Sequence, residues 1–454
     1  MIFGESFEFG ENSSWAYKPG GWDQFPSATN VTWNTLIANA SGRITFDRTE
    51  AHHRYASLKV DFDAIDADGT SIVAATNRGI GNEGLFLQRD EVYEGFFFAK
   101  SLARVSMVVA LRNYRDGAIL ARQTIAVGPD KSWQRYNFSL LLNAKEGAAC
   151  EGIAPGSDPN VDCHIMESGI TWAVPPDSRQ GHACIRCAGE FVIGLSAPGS
   201  VHVDYVFLQP GPWGRYGRGP FSKRGVDALK MMGITTIRLG GSFAKPAFYF
   251  WKEWRGPPWE RQSLGAKWGS ELISGFGPFE FIDMCAEAGI EPIVSTAAQD
   301  GACCDPAEMA DLIEYTWGNE STTWGKRRID DGHPEPYPLR YIELGNEQGN
   351  TDFAVQVKAM EERAAQIGKQ DFFLYVSPDS GSWLPSDEAD AVERLGLGTR
   401  VLSDMHVGAV SGRWDSNSCH AQGSLHKYTA RLDCTPSTQR MTPLAGVGRR
   451  RDGR

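Results

Sequence analysis

Asn346 and Glu347 are the two residues whose types and position point most directly to chemistry. They follow the apolar run in "LRYIELGNE", which is typical of a buried strand. A carboxylic acid at such a strand end can protonate a leaving oxygen and later activate a water molecule. The neighbouring amide can hold a hydroxyl group. The dipeptide alone proves little, because a glutamate at a strand end is more often a surface residue or a salt-bridge partner.

Other polar residues follow predicted strands in the same half of the chain. Gly240, Gly241 and Ser242 come after "TTIRL", and His406 comes after "RVLSDM". These strands alternate with helices, which is the pattern of a parallel sheet covered by helices. In a (β/α)8 barrel the C-terminal strand ends surround the active site. These side chains are therefore predicted to lie near the Asn-Glu pair.

Residues 211–410 carry this alternating pattern. The predicted strands are "TTIRLGG", "EPIVSTA", "RYIELGNE", "FFLYVSP" and "RVLSDMHV". Helices are predicted between them, and the first is capped by Ser222 with Val226, Leu229 and Met232 on its apolar side. Since a TIM (β/α)8 barrel needs eight strands, we expect an incomplete barrel here.

Residues 1–210 are predicted to form a β-sandwich of the galactose-binding or carbohydrate-binding kind. The runs "ASLKVDFDAI", "ARVSMVVALRN", "SWQRYNFSLLL", "EFVIGLSA" and "SVHVDYVFLQP" lack helical periodicity and are separated by turn residues. This pattern is typical of antiparallel strands. Such a sandwich can bind sugars or can simply pack against its neighbour. The predicted fold class is multi-domain, β plus α/β.

Residues 411–454 fit neither pattern. This segment carries eight Lys and Arg residues, three Asp and no Glu, and it ends in "GVGRRRDGR". We expect an irregular or disordered tail, and a shifted reading frame or aberrant splice explains its composition better than a natural solvated tail.

Composition and charge narrow the function class. The formal net charge of −11 argues against nucleic-acid and anionic-membrane partners. No apolar run is long enough to span a membrane. The 14 Trp, 13 Tyr and 23 Phe supply flat apolar faces, which either bind sugars or fill a large core.

Two features point to the secretory pathway, although the N-terminal "MIFGESFEFGENSSW" is not a signal peptide. Sequons for N-glycosylation occur at five positions: Asn12, Asn30, Asn39, Asn137 and Asn319. Four cysteines lie in one region: Cys150, Cys163, Cys184 and Cys187. We expect two disulfides there, with a zinc site at "CIRC" or free thiols as alternatives. An extracellular location is predicted, with the true N-terminus missing.

Four longer runs resemble the α-L-arabinofuranosidases of glycoside hydrolase family 51, in particular the eukaryotic type with an inserted β-sandwich. They are "FSKRGVDALKMMGITTIRLGGS", "FWKEWRGPPWERQ", "GFGPFEFIDMCAEAGIEPIV" and "WGKRRIDDGHPEPYPLRYIELGNE". The resemblance covers about residues 200–407 and, more loosely, the sandwich before them. It implies a retaining glycosidase that removes terminal α-L-arabinofuranosyl units from arabinose-containing polysaccharides, with no metal and no other cofactor.

The resemblance assigns roles to single residues. Glu347 matches the general acid/base of the family, and Asn346 matches an amide that contacts the furanose. Sugar contacts are also implied for a further set: Gly240, Gly241, Ser242, Trp251 and His406. Ser242 departs from the Cys or Asn that is common at its position. An aromatic residue expected soon after His406 is absent.

Two other residues match less well. Glu8 is a weak candidate for a glutamate that grips sugar hydroxyls on the first barrel strand, because the same segment also matches a later part of the family pattern. His333 lies in "GHPEP" and is expected to pack beneath the site and not to react.

The second carboxylate of the family has no match in this sequence. Retaining chemistry needs a nucleophile about 5–5.5 Å from the acid/base. The family places it as a glutamate well after the histidine of the sixth strand, but no Glu follows Glu393. The chain is therefore predicted to be inactive as written. The alternatives are a non-catalytic carbohydrate-binding protein and a related retaining glycosidase with another sugar specificity.

Overall fold

The architecture comes from a computed structural model of the chain. It describes residues 33–66, 70–79, 84–143, 150–153, 184–240, 251–261, 275–296, 305–346, 350–377 and 386–403. Within these ranges, antiparallel strands occur up to residue 222 and parallel strands occur from residue 236 onward. The predicted tail, 411–454, lies outside the described residues.

Two antiparallel sheets account for most of the first part. Their strands are β1 (Asn34–Ala38), β2 (Ala40–Asp47), β3 (Ser57–Ile65), β4 (Ile72–Asn77), β5 (Val92–Ser101), β6 (Val105–Asn113), β7 (Ile119–Val127), β8 (Asp130–Leu141), β11 (Gly189–Leu195) and β12 (Gly199–Pro210). Two further strands, β9 (Cys150–Ile153) and β10 (Cys184–Cys187), form a small antiparallel ladder of their own. The sheet orders are β1-β4-β11-β6-β7 and β2-β3-β12-β5-β8. The five runs that the sequence predicted as strands correspond to β3, β6, β8, β11 and β12.

One hydrophobic core joins the two antiparallel sheets. Leu58, Val60 and Phe62 of β3 are buried in it, as their alternation predicted. Phe97 of β5 and Phe191 of β11 belong to the same core from opposite sheets. Each such fully buried side chain contributes roughly 1.5–3 kcal/mol of transfer free energy.

The β9–β10 ladder bears on the predicted disulfides. Its register makes Cys150 and Cys187 Cα partners. Directly opposed residues of an antiparallel pair have backbones close enough for a disulfide. Cys163 lies outside the described residues, so the two disulfides stay a prediction.

The second part of the chain alternates between helix and parallel strand. After a short hairpin of β13 (Arg215–Tyr216) and β14 (Phe221–Ser222), its strands are β15 (Thr236–Leu239), β16 (Glu291–Thr296), β17 (Tyr341–Leu344), β18 (Leu374–Ser377) and β19 (Val401–Ser403). They form one parallel sheet in sequential order. The helices are α1 (Lys223–Met231), α2 (Pro278–Ala288), α3 (Pro306–Trp317), α4 (Thr323–Asp330), α5 (Phe353–Gln366) and α6 (Ser386–Arg394). Each of the five predicted strands is present.

The helices begin where side chains can satisfy their first N–H groups. Ser222 accepts from the N–H of Gly225, as predicted, and Asp305 accepts from that of Glu308. The predicted apolar side of α1 is only partly right. Val226 is buried, but Met232, the C-cap residue, is 69% exposed.

An aromatic cluster connects the antiparallel sheets to the second part of the chain. Trp259, in the segment 251–261, packs against Phe96, Phe98 and Tyr205 on the outer face of the second sheet. His53 adds a polar contact, since its Nε2 lies 2.9 Å from the carbonyl oxygen of Arg261. The outer face of that sheet is therefore partly covered.

Neither a membrane-spanning segment nor a metal site was expected from the sequence, and the structure describes only part of the chain. No helix among the described residues combines the length and apolar character needed to cross a membrane. In the same residues, no group of three or more His, Cys, Asp or Glu is arranged to hold a metal ion.

Candidate active site

The C-terminal ends of the parallel strands lie at one edge of their sheet. Gly240 follows β15, Ser295 and Thr296 end β16, and Asn346 comes two residues after β17. Since β15, β16 and β17 are neighbours in the sheet, these residues are brought together by its order. This is the edge at which parallel α/β folds build their sites.

Asn346 is almost completely buried, with 2% of its surface exposed. Its Oδ1 accepts a hydrogen bond from Arg238 Nη2 at 2.8 Å. A guanidinium carries only N–H donors, so the amide oxygen must face Arg238 and the NH2 group must point away from it. Asn346 therefore offers donors to a group that approaches from the other side.

Arg238 is held in turn by Glu343, whose side chain is fully buried. Arg238 Nη2 donates to Glu343 Oε1 at 2.7 Å, and Arg238 Nε donates to Oε2. Ser295 Oγ donates to the same Oε2, and Thr296 Oγ1 donates to the backbone oxygen of Glu343 at 3.0 Å. A buried carboxylate needs partners of this kind. The two-pronged ion pair fixes the guanidinium plane and, through it, Asn346.

Gly240 leaves the space that this network occupies. Its φ is 154°, and a Cβ atom there would overlap Oγ and Cβ of Ser295. Ser295 is the residue whose hydroxyl bonds to Glu343. A side chain at position 240 would push Ser295 away from that carboxylate, which gives Gly240 a packing role.

A second asparagine anchors the chain after the strand end. Asn350 is buried, and its Nδ2 donates to the backbone oxygen of Leu344 at 3.1 Å and to Gln356 Oε1 at 2.8 Å. Asn346 and Asn350 are thus both fixed to the body of the protein. Glu347 lies between these two anchors in the sequence.

Trp251 packs in the helix layer. Its ring contacts Phe279 of α2, Tyr315 of α3 and Trp324 of α4, and its indole N–H donates to the backbone oxygen of Glu308 at 3.2 Å. These contacts account for its burial. A sugar contact for Trp251 stays a prediction.

His333 makes structural contacts, which agrees with its expected packing role. It stacks on Tyr337 with ring centroids 3.8 Å apart, and its Nε2 lies 3.1 Å from Asp283 Oδ1. Burial disfavours the charged imidazolium, but the hydrogen bond and the charge of Asp283 outweigh this effect and raise the pKa of His333. The residue ties α2 to the segment before β17.

The other predicted site residues are not among those that the structure describes. They are Gly241, Ser242, Glu347 and His406, together with the weaker candidate Glu8. Their roles stay predictions.

Sequence reasoning missed Arg238, Ser295 and Glu343. A signal existed for two of them, because "TIRL" and "YIEL" each place one charge inside an apolar strand. A charge in a buried strand needs an opposite charge nearby, so Arg238 and Glu343 could have been paired. Ser295 carries no comparable signal.

A family model and several known proteins are similar to this chain. A model described as the alpha-L-arabinofuranosidase 1 domain matches residues 228–373, a range that contains Arg238, Ser295, Glu343 and Asn346. Alpha-L-arabinofuranosidase 1 of Arabidopsis thaliana is 33% identical over 339 residues, which make up 69% of this chain and 43% of that protein. An extracellular exo-alpha-L-arabinofuranosidase of Streptomyces chartreusis is 22% identical over 365 residues, 78% of this chain and 38% of that protein.

The chain therefore spans about two fifths of the length of these curated relatives. Among solved structures, an arabinose-bound MgGH51 α-L-arabinofuranosidase matches with a TM-score of 0.54 and 18% identity. The match covers 77% of this chain and 53% of that one. At this identity, the likeness shows a shared fold.

Proposed function

Since this chain is an α-L-arabinofuranosidase relative of the glycoside hydrolase family 51 type, we propose that it belongs to a retaining hydrolase. Its substrate would be the terminal α-L-arabinofuranosyl units of arabinose-containing polysaccharides. The observation that carries the proposal is Asn346, a buried amide at a parallel strand end whose orientation is set by Arg238.

The fold proposal follows from the sheet order. We assign residues 211–410 to part of a (β/α)8 barrel and residues 1–210 to a β-sandwich. Sequential parallel strands with intervening helices support the first assignment. Two antiparallel sheets with one common core support the second.

The proposed chemistry divides the work between neighbouring residues. The Asn346 NH2 group bonds to no described group, so it can donate to a hydroxyl of the bound furanose. Glu347, the next residue, would protonate the glycosidic oxygen as the bond breaks and would later deprotonate the attacking water. Asn350, three residues further on, is held by hydrogen bonds to Leu344 and Gln356.

No residue of this chain is assigned as the second carboxylate. In a retaining mechanism that group attacks the anomeric carbon and forms the covalent intermediate. We therefore expect the 454 residues alone to hydrolyse unactivated arabinosides too slowly for useful turnover.

Secretion is a further part of the proposal. The sequons at Asn39 and Asn319 lie on exposed residues, where an oligosaccharide can be attached without disturbing a core. Digestion of the natural protein with an N-glycosidase should lower its mass. An unchanged mass, together with recovery of the protein in the cytosol, would contradict secretion.

The test of the activity compares substrates that differ in ring form. The complete gene product is expected to hydrolyse 4-nitrophenyl α-L-arabinofuranoside far faster than the arabinopyranoside, the xyloside or the glucuronide. Glu347→Gln should lower turnover of an unactivated arabinoside about 10²–10⁴-fold, which is the usual contribution of a general acid. Equal rates on the furanoside and on another glycoside would favour a related glycosidase. Sugar binding without any product would favour the non-catalytic alternative.

The 454-residue chain permits a sharper test. With azide as an external nucleophile, it is expected to release nitrophenolate from the arabinofuranoside and to form the β-configured arabinofuranosyl azide. Such rescue is expected when the site lacks only its nucleophile. Absence of the azide product from a folded chain would show that the strand-end site does not hold the sugar for this reaction.

A further inference from the structure

A cleft of about 540 Å³ lies between the second antiparallel sheet and helix α1. Its floor is apolar and includes Tyr93 and Trp213, which pack edge to face. Phe86 stands at its rim with 53% of its surface exposed. The volume falls in the range of about 300–1,000 Å³ that is usual for ligand sites.

Three polar side chains of this cleft, those of Gln88, Gln209 and Arg224, have no hydrogen-bond or salt-bridge partner among the described residues. The side-chain amides of Gln88 and Gln209 hydrogen bond to no other residue in the described ranges. Arg224 lies over the Phe86 ring at 6.0 Å, and no carboxylate of the described residues lies within salt-bridge distance of it. Unused amides and a guanidinium beside an exposed ring are the groups that bind a molecule with apolar faces and hydroxyl edges.

A second cleft, of about 500 Å³, lies on the outer face of the same sheet. Phe207 and Asn137 line it, and Gln209 lines both clefts. Both clefts share Gln209 as a lining residue, and the two together are named the groove. A groove of this kind suits an extended chain better than a compact ligand.

The middle of the sheet face is closed to such a chain. Trp259 covers Phe96 and Phe98, and the guanidinium of Arg135 lies 3.9 Å from the Phe96 centroid and 4.6 Å from that of Trp259. A ligand on this sheet is thus confined to the end that carries Phe207 and Gln209.

We propose that this groove is a carbohydrate-binding site separate from the parallel strand ends, and that it holds the backbone of a neutral oligosaccharide. Neutrality follows from the lining, where three acidic residues face three basic ones: Glu91, Glu94 and Asp227 against Arg135, Lys223 and Arg224. The inference that the ligand is a sugar rests on the proposed function, whereas the inference that a site exists rests on the shape and lining of the groove.

The test measures binding of linear xylohexaose and of α-1,5-linked arabinohexaose to the 454-residue chain by titration calorimetry. All variants carry Asn346→Ala, so that binding at the strand ends contributes little. Phe86→Ala is expected to raise the dissociation constant about fivefold, because a partly exposed ring loses its contact with the sugar face. Gln209→Ala should raise it about threefold through lost hydrogen bonds.

Ile119→Ala is the matched control. Ile119 lies on β7 of the other sheet and is 52% exposed, nearly the same as Phe86. The groove is supported if both groove variants weaken binding of at least one oligosaccharide and the control does not. Unchanged affinity in both groove variants, or tighter binding of a glucuronic-acid-bearing xylan fragment than of the neutral one, would overturn the proposal.

The outcome is independent of the hydrolysis assay. Binding that depends on Phe86 in a protein that cleaves no arabinofuranoside would leave the groove standing and remove the proposed function. Cleavage of arabinofuranosides without any binding that depends on Phe86 or Gln209 would do the reverse.

Discussion

Glu190 and Glu343 invite comparison, because both are fully buried glutamates that pair with arginine in the middle of a sheet. Glu190, on β11 of the antiparallel part, pairs with Arg78 and Arg112. Glu343, on β17 of the parallel sheet, pairs with Arg238. Guanidinium groups thus hold both carboxylates, two at Glu190 and one at Glu343.

The difference lies in what the arginine touches next. Arg78 stacks on Tyr114 with its guanidinium 4.1 Å from the ring, which ties one part of the antiparallel region together. Arg238 also donates to Asn346, beyond the end of β17. A buried ion pair costs desolvation free energy and is weak evidence for added stability. The ion pair at β17 also orients Asn346, a residue of the candidate site. The ion pairs at β11 connect parts of the antiparallel region.

The largest effect is expected when either carboxylate is removed. Glu190→Gln and Glu343→Gln should each lower the free energy of unfolding by about 3–5 kcal/mol, because the first leaves two guanidinium groups, and the second leaves one, without the buried carboxylate. Urea unfolding followed by tryptophan fluorescence measures this loss. A change below 1 kcal/mol at either position would show that the two pairs are not equivalent in stability.

His53 and His333 are expected to make stability depend on pH in opposite directions. Burial is the main cause that lowers the pKa of His53 to about 4, from an ordinary value near 6.5. The unfolded chain therefore binds more protons between these values, and stability should fall by roughly 3 kcal/mol as the pH drops from 6.5 to 4. His53→Gln, which keeps a donor for the Arg261 carbonyl, should flatten this dependence in urea unfolding.

His333 should act with the opposite sign. Because its pKa is raised, the stability that it contributes is present below about pH 6.5 and is lost as the pH rises through the raised value. His333→Gln should therefore weaken the protein at pH 6 more than at pH 9. If His53→Gln also weakened the protein more at pH 6 than at pH 9, the two histidines would not have opposite effects on stability.

Two tightly packed glycines provide a smaller contrast. At Gly194, on β11, a Cβ atom would meet the backbone of Val73 and Ala74. At Gly240 it would meet the side chain of Ser295. Alanine at either position should cost about 1–3 kcal/mol, because at Gly194 the Cβ atom meets backbone and at Gly240 it meets Ser295 at a φ that alanine rarely adopts. Only Gly240→Ala should also weaken arabinotriose binding, since Ser295, unlike Val73 and Ala74, bonds to Glu343. Equal arabinotriose binding by Gly194→Ala and Gly240→Ala would show that Ser295 does not affect the candidate site.

The smallest effect is expected from a change that keeps the charge. Arg238→Lys should weaken arabinotriose binding about tenfold, because lysine cannot donate to Glu343 and Asn346 in the same fork geometry. Arg112→Lys is the matched change at Glu190 and should leave the affinity within about twofold. Isothermal titration of the two variants checks this, and equal affinities would mean that Arg238 does not position Asn346.

Much of the fold follows from local patterns in the sequence. Phe281, Ile282 and Cys285 have the amphipathic spacing of a helix, and all three are buried on α2. Helix α4 was not predicted, because its eight residues are mostly polar. The structure buries one charged residue of this helix, Arg328. That arginine is stabilised by backbone oxygens such as Gly318 O at 2.8 Å, which no periodicity reveals.

The antiparallel part was predicted less completely than the parallel part. Strand β7, at the edge of its sheet, alternates irregularly between exposed and buried residues and was not singled out. Strand β5 contains Gly95, which weakens a strand pattern, yet it pairs with a strand on each side, β12 and β8. Pairing with distant strands decides such cases, and pairing is not local information.

The sequence by itself determined that an Asn-Glu pair follows a buried strand, and that parallel strands with helices alternate around it. These statements depend on side-chain periodicity over a few residues. Only the tertiary structure decided that Asn346 bonds to Arg238, 108 residues earlier, and that Trp259 covers the face of the antiparallel sheet. Such contacts depend on sheet order and register, because two strands become neighbours only when the whole sheet has formed.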